Sequence, residues 1–201
     1  MPNESSRREI LIASAALAGG AGAALIASCG GGGSKTDSTE TVSTISMQND
    51  AGILGTLLDL EDSAIVAYDT VAPYLTGPVR ALARTFGAQE RAHADALRRA
   101  IPGLGEQPAP AKPAAQYRSA FPPLRNGRDA LSFALDVEST AIGAYADAIG
   151  KVVTDGARVT LAQIMATESE HAAAILGRLG RPQAPAAFVT GPPPPTGSGS
   201  G

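Results

Sequence analysis

Residues Ala166 to Ile175 read ATESEHAAAI, and within this stretch Glu168 and His171 stand where an amphipathic helix carries apolar side chains. Counting outward in steps of three and four, Leu161, Ile164, Met165, Ala172, Ile175 and Leu179 continue one stripe, and the glutamate and histidine fall inside it. An unpaired buried carboxylate costs several kcal/mol, so this charge needs a compensating partner.

Three further segments repeat the pattern. The punctuation of the chain predicts four helices: from an N-cap at Asn49 or Asp50 to about Val71, from Pro78 to about Ala100, from about Arg128 to Val153, and from near Asp155 to near Leu179, with Gly180 as the last cap. In the first, the stripe Leu54, Leu57, Leu58, Ile65, Tyr68 is interrupted by Glu61. In the second, Val79, Leu82, Phe86, Leu97 and Ile101 are interrupted by Glu90 and His93. In the third, Leu131, Leu135, Ile142, Tyr145 and Ile149 are interrupted by Glu138. Every helix breaks its apolar seam near mid-length.

The links differ in length. Those between helices one and two and between three and four are short, as in antiparallel hairpins, whereas PGLGEQPAPAKPAAQYRSAFPPLRNG between two and three is long enough to run the length of a bundle. An internal repeat supports the pairing. Glu61-Asp62-Ser63-Ala64-Ile65-Val66-Ala67-Tyr68 aligns with Glu138-Ser139-Thr140-Ala141-Ile142-Gly143-Ala144-Tyr145, and Glu90-Arg91-Ala92-His93-Ala94 aligns with Glu168-Ser169-Glu170-His171-Ala172. The expected fold is an all-α four-helix bundle of two helical hairpins joined by a crossover, spanning residues 47–181.

Composition agrees with that class. Apolar residues make up 44% of the 201, aromatics 4%, and there is no Trp, which suits Ala- and Leu-rich helices better than strands. A net charge of -3 offers no broad basic field, so nucleic-acid binding is set aside. Residues 29–46 and 182–201 are rich in Gly, Ser, Thr or Pro and read as a flexible tether and a tail.

The first 28 residues read as an export signal, with Arg7 and Arg8 ahead of an apolar run that ends at Cys29, the only cysteine. Ser6-Arg7-Arg8 with Ile10-Leu11 resembles a bacterial twin-arginine signal, although Ile10 stands where Phe is commoner, which leaves twin-arginine and general secretory export both open. Ile26-Ala27-Ser28-Cys29 resembles a lipoprotein cleavage box. That resemblance implies lipidation of Cys29 and anchoring to a lipid bilayer on the extracytoplasmic side of a bacterial membrane, or a secreted or periplasmic protein without lipidation.

The seam breaks supply four glutamates and the chain's only two histidines, each histidine three residues after a glutamate and on the same helix face. With neutral histidines the cluster carries charge -4, which two divalent cations would cancel. One Glu from each of two helices and Glu-x-x-His from each of the others is the arrangement known for carboxylate-bridged dimetal bundles. On these residues the sequence, from about Met47 to Gly180, resembles the ferritin-like di-iron family. The resemblance implies that Glu61 and His93 serve one metal, Glu138 and His171 the other, and that Glu90 and Glu168 bridge them, with no catalytic residue beyond these ligands. It implies two iron ions, with manganese, a mixed iron and manganese pair, or zinc as alternatives, and oxygen or peroxide as the oxidant. Glu170, one position off the seam, reads as a solvated charge. Tyr68 and Tyr145 read as core residues with bonded hydroxyls, or alternatively as groups acting on the metal ligands. The functional expectation is an oxidase of ferrous iron or a reductase of oxygen or peroxide; the alternative is a non-enzymatic envelope bundle with a structural metal or none that binds a partner. Pairing of bundles as a homodimer stays open.

Overall fold

Four long helices and one short one make up the computed structural model, which describes residues 37–187. The expected signal, Cys29 and the tail from residue 188 lie outside the described residues. The helices are α1 (Asp37–Val71), α2 (Gly77–Ala100), α3 (Ala114–Arg118), α4 (Gly127–Lys151) and α5 (Asp155–Arg178). Short 3-10 turns, Ala72–Tyr74 and Ile101–Leu104, follow α1 and α2. No strand occurs among the described residues, and the class is all-α.

The boundaries follow local chemistry. Pro78 sits in the first turn of α2, where its missing N–H removes no bond. The Asn126 side chain accepts from the backbone N–H groups of Arg128 and Asp129, both at 2.9 Å, and starts α4. At the end of α5 the N–H of Arg181 donates to the Leu176 carbonyl while Gly180 takes φ +71°, the left-handed closure expected at that glycine.

α1 pairs with α2 and α4 with α5, giving the two expected hairpins, and α1 also packs against α4. The first hairpin is tight: a Cβ on Gly87 would lie 3.0 Å from the Cβ of Tyr68, so the helices approach there only because position 87 has no side chain. Two separate apolar clusters fill the bundle. One, around Val71, Phe86, Phe133 and Ile175, gathers the C-terminal half of α1 with the start of α4. The other, around Leu54, Leu97, Tyr145 and Leu161, gathers the opposite ends. α1 and α4 are therefore antiparallel, and the seam breaks lie between the clusters.

Two expectations are corrected. α1 begins at Asp37 and runs straight through Asn49 and Asp50, so residues 37–46 of the expected tether are helical and Asp50 is no N-cap for α1. Its buried carboxylate instead accepts from the backbone N–H groups of Val153 (3.1 Å) and Thr154 (2.8 Å), where the chain enters α5. Once a packed helix is nucleated, adding turns costs little, and a capping side chain need not serve its own helix. The long crossover carries a short helix of its own. In it α3 places Tyr117, whose hydroxyl donates to Asp59 of α1 at 2.7 Å, while Lys112 reaches the other oxygen of Asp59 at 2.6 Å.

Because Asp50 holds two otherwise orphaned N–H groups, Asp50→Ala should destabilise the protein by about 1–3 kcal/mol, and Asp50→Asn, which keeps an acceptor, by less. Urea unfolding midpoints check this; equal midpoints for Asp50→Ala and the parent protein would remove the cross-helix cap.

Candidate metal centre

Glu61 from α1, Glu90 and His93 from α2, Glu138 from α4, and Glu168 and His171 from α5 all converge in the layer between the two apolar clusters. The four glutamates and His171 are at most 1% exposed, and His93 is 9% exposed. Their donor atoms fall into two groups, each spanning no more than 4.8 Å: Glu61, Glu90, His93 and Glu168 in one, Glu90, Glu138, Glu168 and His171 in the other. Glu90 and Glu168 belong to both. Each histidine turns Nδ1 into the cluster. His93 Nδ1 lies 2.9 Å from Glu168, 3.4 Å from Glu90 and 3.6 Å from Glu61. His171 Nδ1 lies 3.1 Å from Glu90, 3.5 Å from Glu138 and 3.6 Å from Glu168.

Two tyrosines cross between helices to reach this layer. Tyr68 of α1 donates its hydroxyl to Glu138 of α4, and Tyr145 of α4 donates to Glu61 of α1. In each helix the tyrosine follows the glutamate by seven residues, two turns, and the antiparallel arrangement of α1 and α4 makes the two bonds reciprocal. One oxygen of each outer glutamate is thereby bonded, and the other is buried without a hydrogen-bond partner.

The chemistry of the donor set can be tested against a cation. The buried side-chain atoms without a hydrogen-bond partner among the described residues are Glu61 Oε2, Glu90 Oε1, His93 Nδ1, Glu138 Oε2, both oxygens of Glu168, and His171 Nδ1. Buried polar atoms are nearly always bonded, and here the exceptions gather on the same six residues, each with a lone pair that an ion can accept. Four carboxylates and two imidazoles with shared central carboxylates suit a pair of divalent ions of intermediate hardness.

Without an ion the cluster holds protons. Burial pushes Glu61 well above the usual carboxylate range; its contact with His93 opposes this, and the charges of Glu168 and Glu90 reinforce it. Burial likewise raises Glu138, with the contact to Glu168 adding to the effect and His171 opposing it. Burial works against the charged forms of the histidines, but their contacts with carboxylates prevail and raise His93 to about 12 and His171 to about 11. Glu168 goes the other way: burial is outweighed by its contacts with Glu138, His171 and His93, which hold it ionised.

Sequence spacing did not single out Gln89 and Phe86 as parts of this site. Gln89 Oε1 lies 2.8 Å from His171 Nε2, and Phe86 stacks on the same ring at 3.9 Å between centroids. Phe86 was legible only as part of the stripe, and Gln89, an exposed polar residue, gave no periodic signal. Glu170 is exposed, as its position off the seam implies.

The raised groups fix the pH response of chelator-stripped protein. Glu61 and Glu138 keep protons that the unfolded chain loses above about pH 4.5, and His93 and His171 keep protons that it loses above about pH 6.5. Their stabilisation therefore fades as pH rises toward the folded-state values, while that of Glu168 fades as pH falls below about 4.5. Stripped protein should melt at a higher temperature at pH 6 than at pH 8.5, read by thermal circular dichroism; the reverse order would refute a protonated cluster.

With the geometry in hand, comparison with known proteins is direct. The sequence profile of the ferritin-like domain matches residues 49–181. Among solved structures the fold is similar to a dodecameric thioferritin, the bacterioferritin-related protein of Bacteroides fragilis, with TM-score 0.59 and 19% identity over 70% of this chain and 93% of that one. It is also similar to a conserved hypothetical protein of Mycobacterium tuberculosis, with TM-score 0.57 and 18% identity over 65% and 96% of the two chains. A Dps mutant of Listeria innocua aligns with TM-score 0.53 and 11% identity over 65% and 95%. No curated protein sequence matches. The profile match takes in α1 from residue 49 onward, the whole of α2, α4 and α5, and every residue of the Glu and His cluster, and the chain belongs to the ferritin-like domain family.

Proposed function

We propose that the chain binds two metal ions, iron in the first instance, and uses them to oxidise ferrous iron or to reduce oxygen or peroxide. The observation that carries this reading is the set of partnerless buried donor atoms confined to six residues. In it, Glu61 and His93 would hold one ion and Glu138 and His171 the other, with Glu90 and Glu168 shared between the two groups. Manganese, a mixed iron and manganese pair, or zinc would find the same donors. When bound, such a pair supplies electrons and a Lewis-acidic place for the oxidant to bind.

The side chains have their own work. The four carboxylates would offset four positive charges, and the tyrosine hydroxyls hold one oxygen of Glu61 and of Glu138, leaving the second oxygen of each without a hydrogen-bond partner. Leu58, Leu97, Ile142 and Ile175, each at most 2% exposed, keep bulk water from the layer. Protons held by the cluster must leave as metal enters, so uptake is coupled to proton release.

Location belongs to the same proposal. Arg7-Arg8, the apolar run and Cys29 support export and lipid anchoring on the outer side of a bacterial membrane. No helix among the described residues is long and apolar enough to cross a membrane.

Anaerobic ferrous loading followed by oxygen or peroxide is the test. The expected result is about two irons per chain and a new visible absorption band on oxidation, as a carboxylate-bridged pair requires. His93→Ala and His171→Ala should each lose about one iron, and Glu90→Gln with Glu168→Gln should lose both. Fewer than one iron in the parent protein, or zinc uptake with no response to oxidant, would replace this reading with a structural bundle.

A further inference from the structure

The two histidines are held differently, although the chain is an internal duplication. His171 is fixed on two sides: its ring lies on Phe86 at 3.9 Å with 25° between planes, and its Nε2 faces Gln89 Oε1 at 2.8 Å. Because an amide oxygen only accepts, Nε2 carries a hydrogen, and Nδ1, turned toward Glu90, Glu138 and Glu168, is the nitrogen that can bind an ion once its own proton leaves. All polar contacts of His93 run through Nδ1, its side chain is 11% exposed, and the one ring packed on it is His171 at 6.2 Å.

The repeat shows where the halves diverged. Glu90 corresponds to Glu168, so Gln89 corresponds to Thr167 and Phe86 to Ile164. The Thr167 hydroxyl donates to the Gln163 carbonyl of its own helix at 3.3 Å and does not reach His93. Ile164 packs in the other apolar cluster and offers no ring for stacking. The halves therefore differ at the two positions that would orient a histidine.

We infer that Gln89 is a positioning residue that fixes the His171 ring and makes the two metal positions unequal, the one at His171 and Glu138 filling first and the one at His93 and Glu61 filling second and exchanging with solvent. The inference rests on the dinuclear reading above. A histidine already in its ligating orientation loses less freedom on binding, and partners of a ligand's far nitrogen change metal affinity by about 10–100-fold. His93 has the exposed edge, so an ion arriving from solvent meets it first, yet is held more loosely there.

The test uses the full chain with Cys29→Ser, which removes the sole thiol, stripped with chelator and titrated with cobalt(II) by calorimetry and visible absorption. Two resolved steps are expected, the first about 10–100-fold tighter. Gln89→Leu should weaken the first step by about that factor and leave the second unchanged, so that the steps merge. Gln89→Glu should keep them apart, because a carboxylate accepts from the same Nε2–H, and Thr167→Val should alter neither. If two cobalt ions bind and Gln89→Leu leaves the steps resolved, or Gln89→Leu and Gln89→Glu weaken the first step equally, the role assigned to Gln89 is wrong while the dinuclear reading stands. Binding of fewer than two ions by the parent protein would overturn the dinuclear reading itself, and this inference with it.

Discussion

Four carboxylates meet in one layer as two overlapping groups of three, the donor atoms of each group within 4.8 Å of one another, and this repulsion is the constraint around which the bundle is arranged. At an effective dielectric of 20, like charges at that spacing repel by about 3–4 kcal/mol per pair, more than a surface ion pair ordinarily returns. The chain compensates from within as far as it can. Glu61 and Glu138 each receive a tyrosine hydroxyl, and the two histidines share protons with the rest. What remains is a set of buried donor atoms without hydrogen-bond partners, which a bound cation would satisfy. Apolar clusters on both sides keep the layer in place, since sliding any helix along its axis would carry a carboxylate into hydrocarbon.

Duplication supplies the geometry economically. A hairpin with one glutamate on its first helix and Glu-x-x-His on its second makes half a site, and two hairpins facing each other complete it. The antiparallel contact of α1 and α4 turns a single within-helix spacing, glutamate to tyrosine, into two reciprocal bonds between hairpins. Departures from the repeat then carry information that the repeat itself does not. Gln89 opposite Thr167 and Phe86 opposite Ile164 are small changes in sequence, yet they decide which histidine is held at its far nitrogen and ring face and which is held through Nδ1 alone.

Much of this was readable from the sequence because buried charge is costly and therefore conspicuous. Glu61, Glu90, Glu138 and Glu168 stood out against Leu, Ile and Ala at fixed spacing, and the repeat supplied the helix pairing. The limits of α2, α4 and α5 followed from Pro78, Asn126 and Gly180, residues whose backbone roles are local. What escaped was non-local. Asp50 looks like a cap for the helix it belongs to, but it serves the chain a hundred residues later. The bond from Tyr117 to Asp59 and the bond from Gln89 to His171 join positions with no shared period, and no helical count relates them.

The unbroken run of α1 from Asp37 to Glu61 makes that helix a ruler. At 1.5 Å per residue it sets the layer of glutamates about 36 Å from Asp37. Eight positions separate Asp37 from Cys29, and even fully extended they span no more than about 29 Å. Under the lipid anchoring proposed for Cys29, the site would therefore ride at a bounded height above the bilayer. The bundle end formed by Asp50, Val153 and Thr154 would be the end nearer the membrane, and the link between α1 and α2 would face away from it.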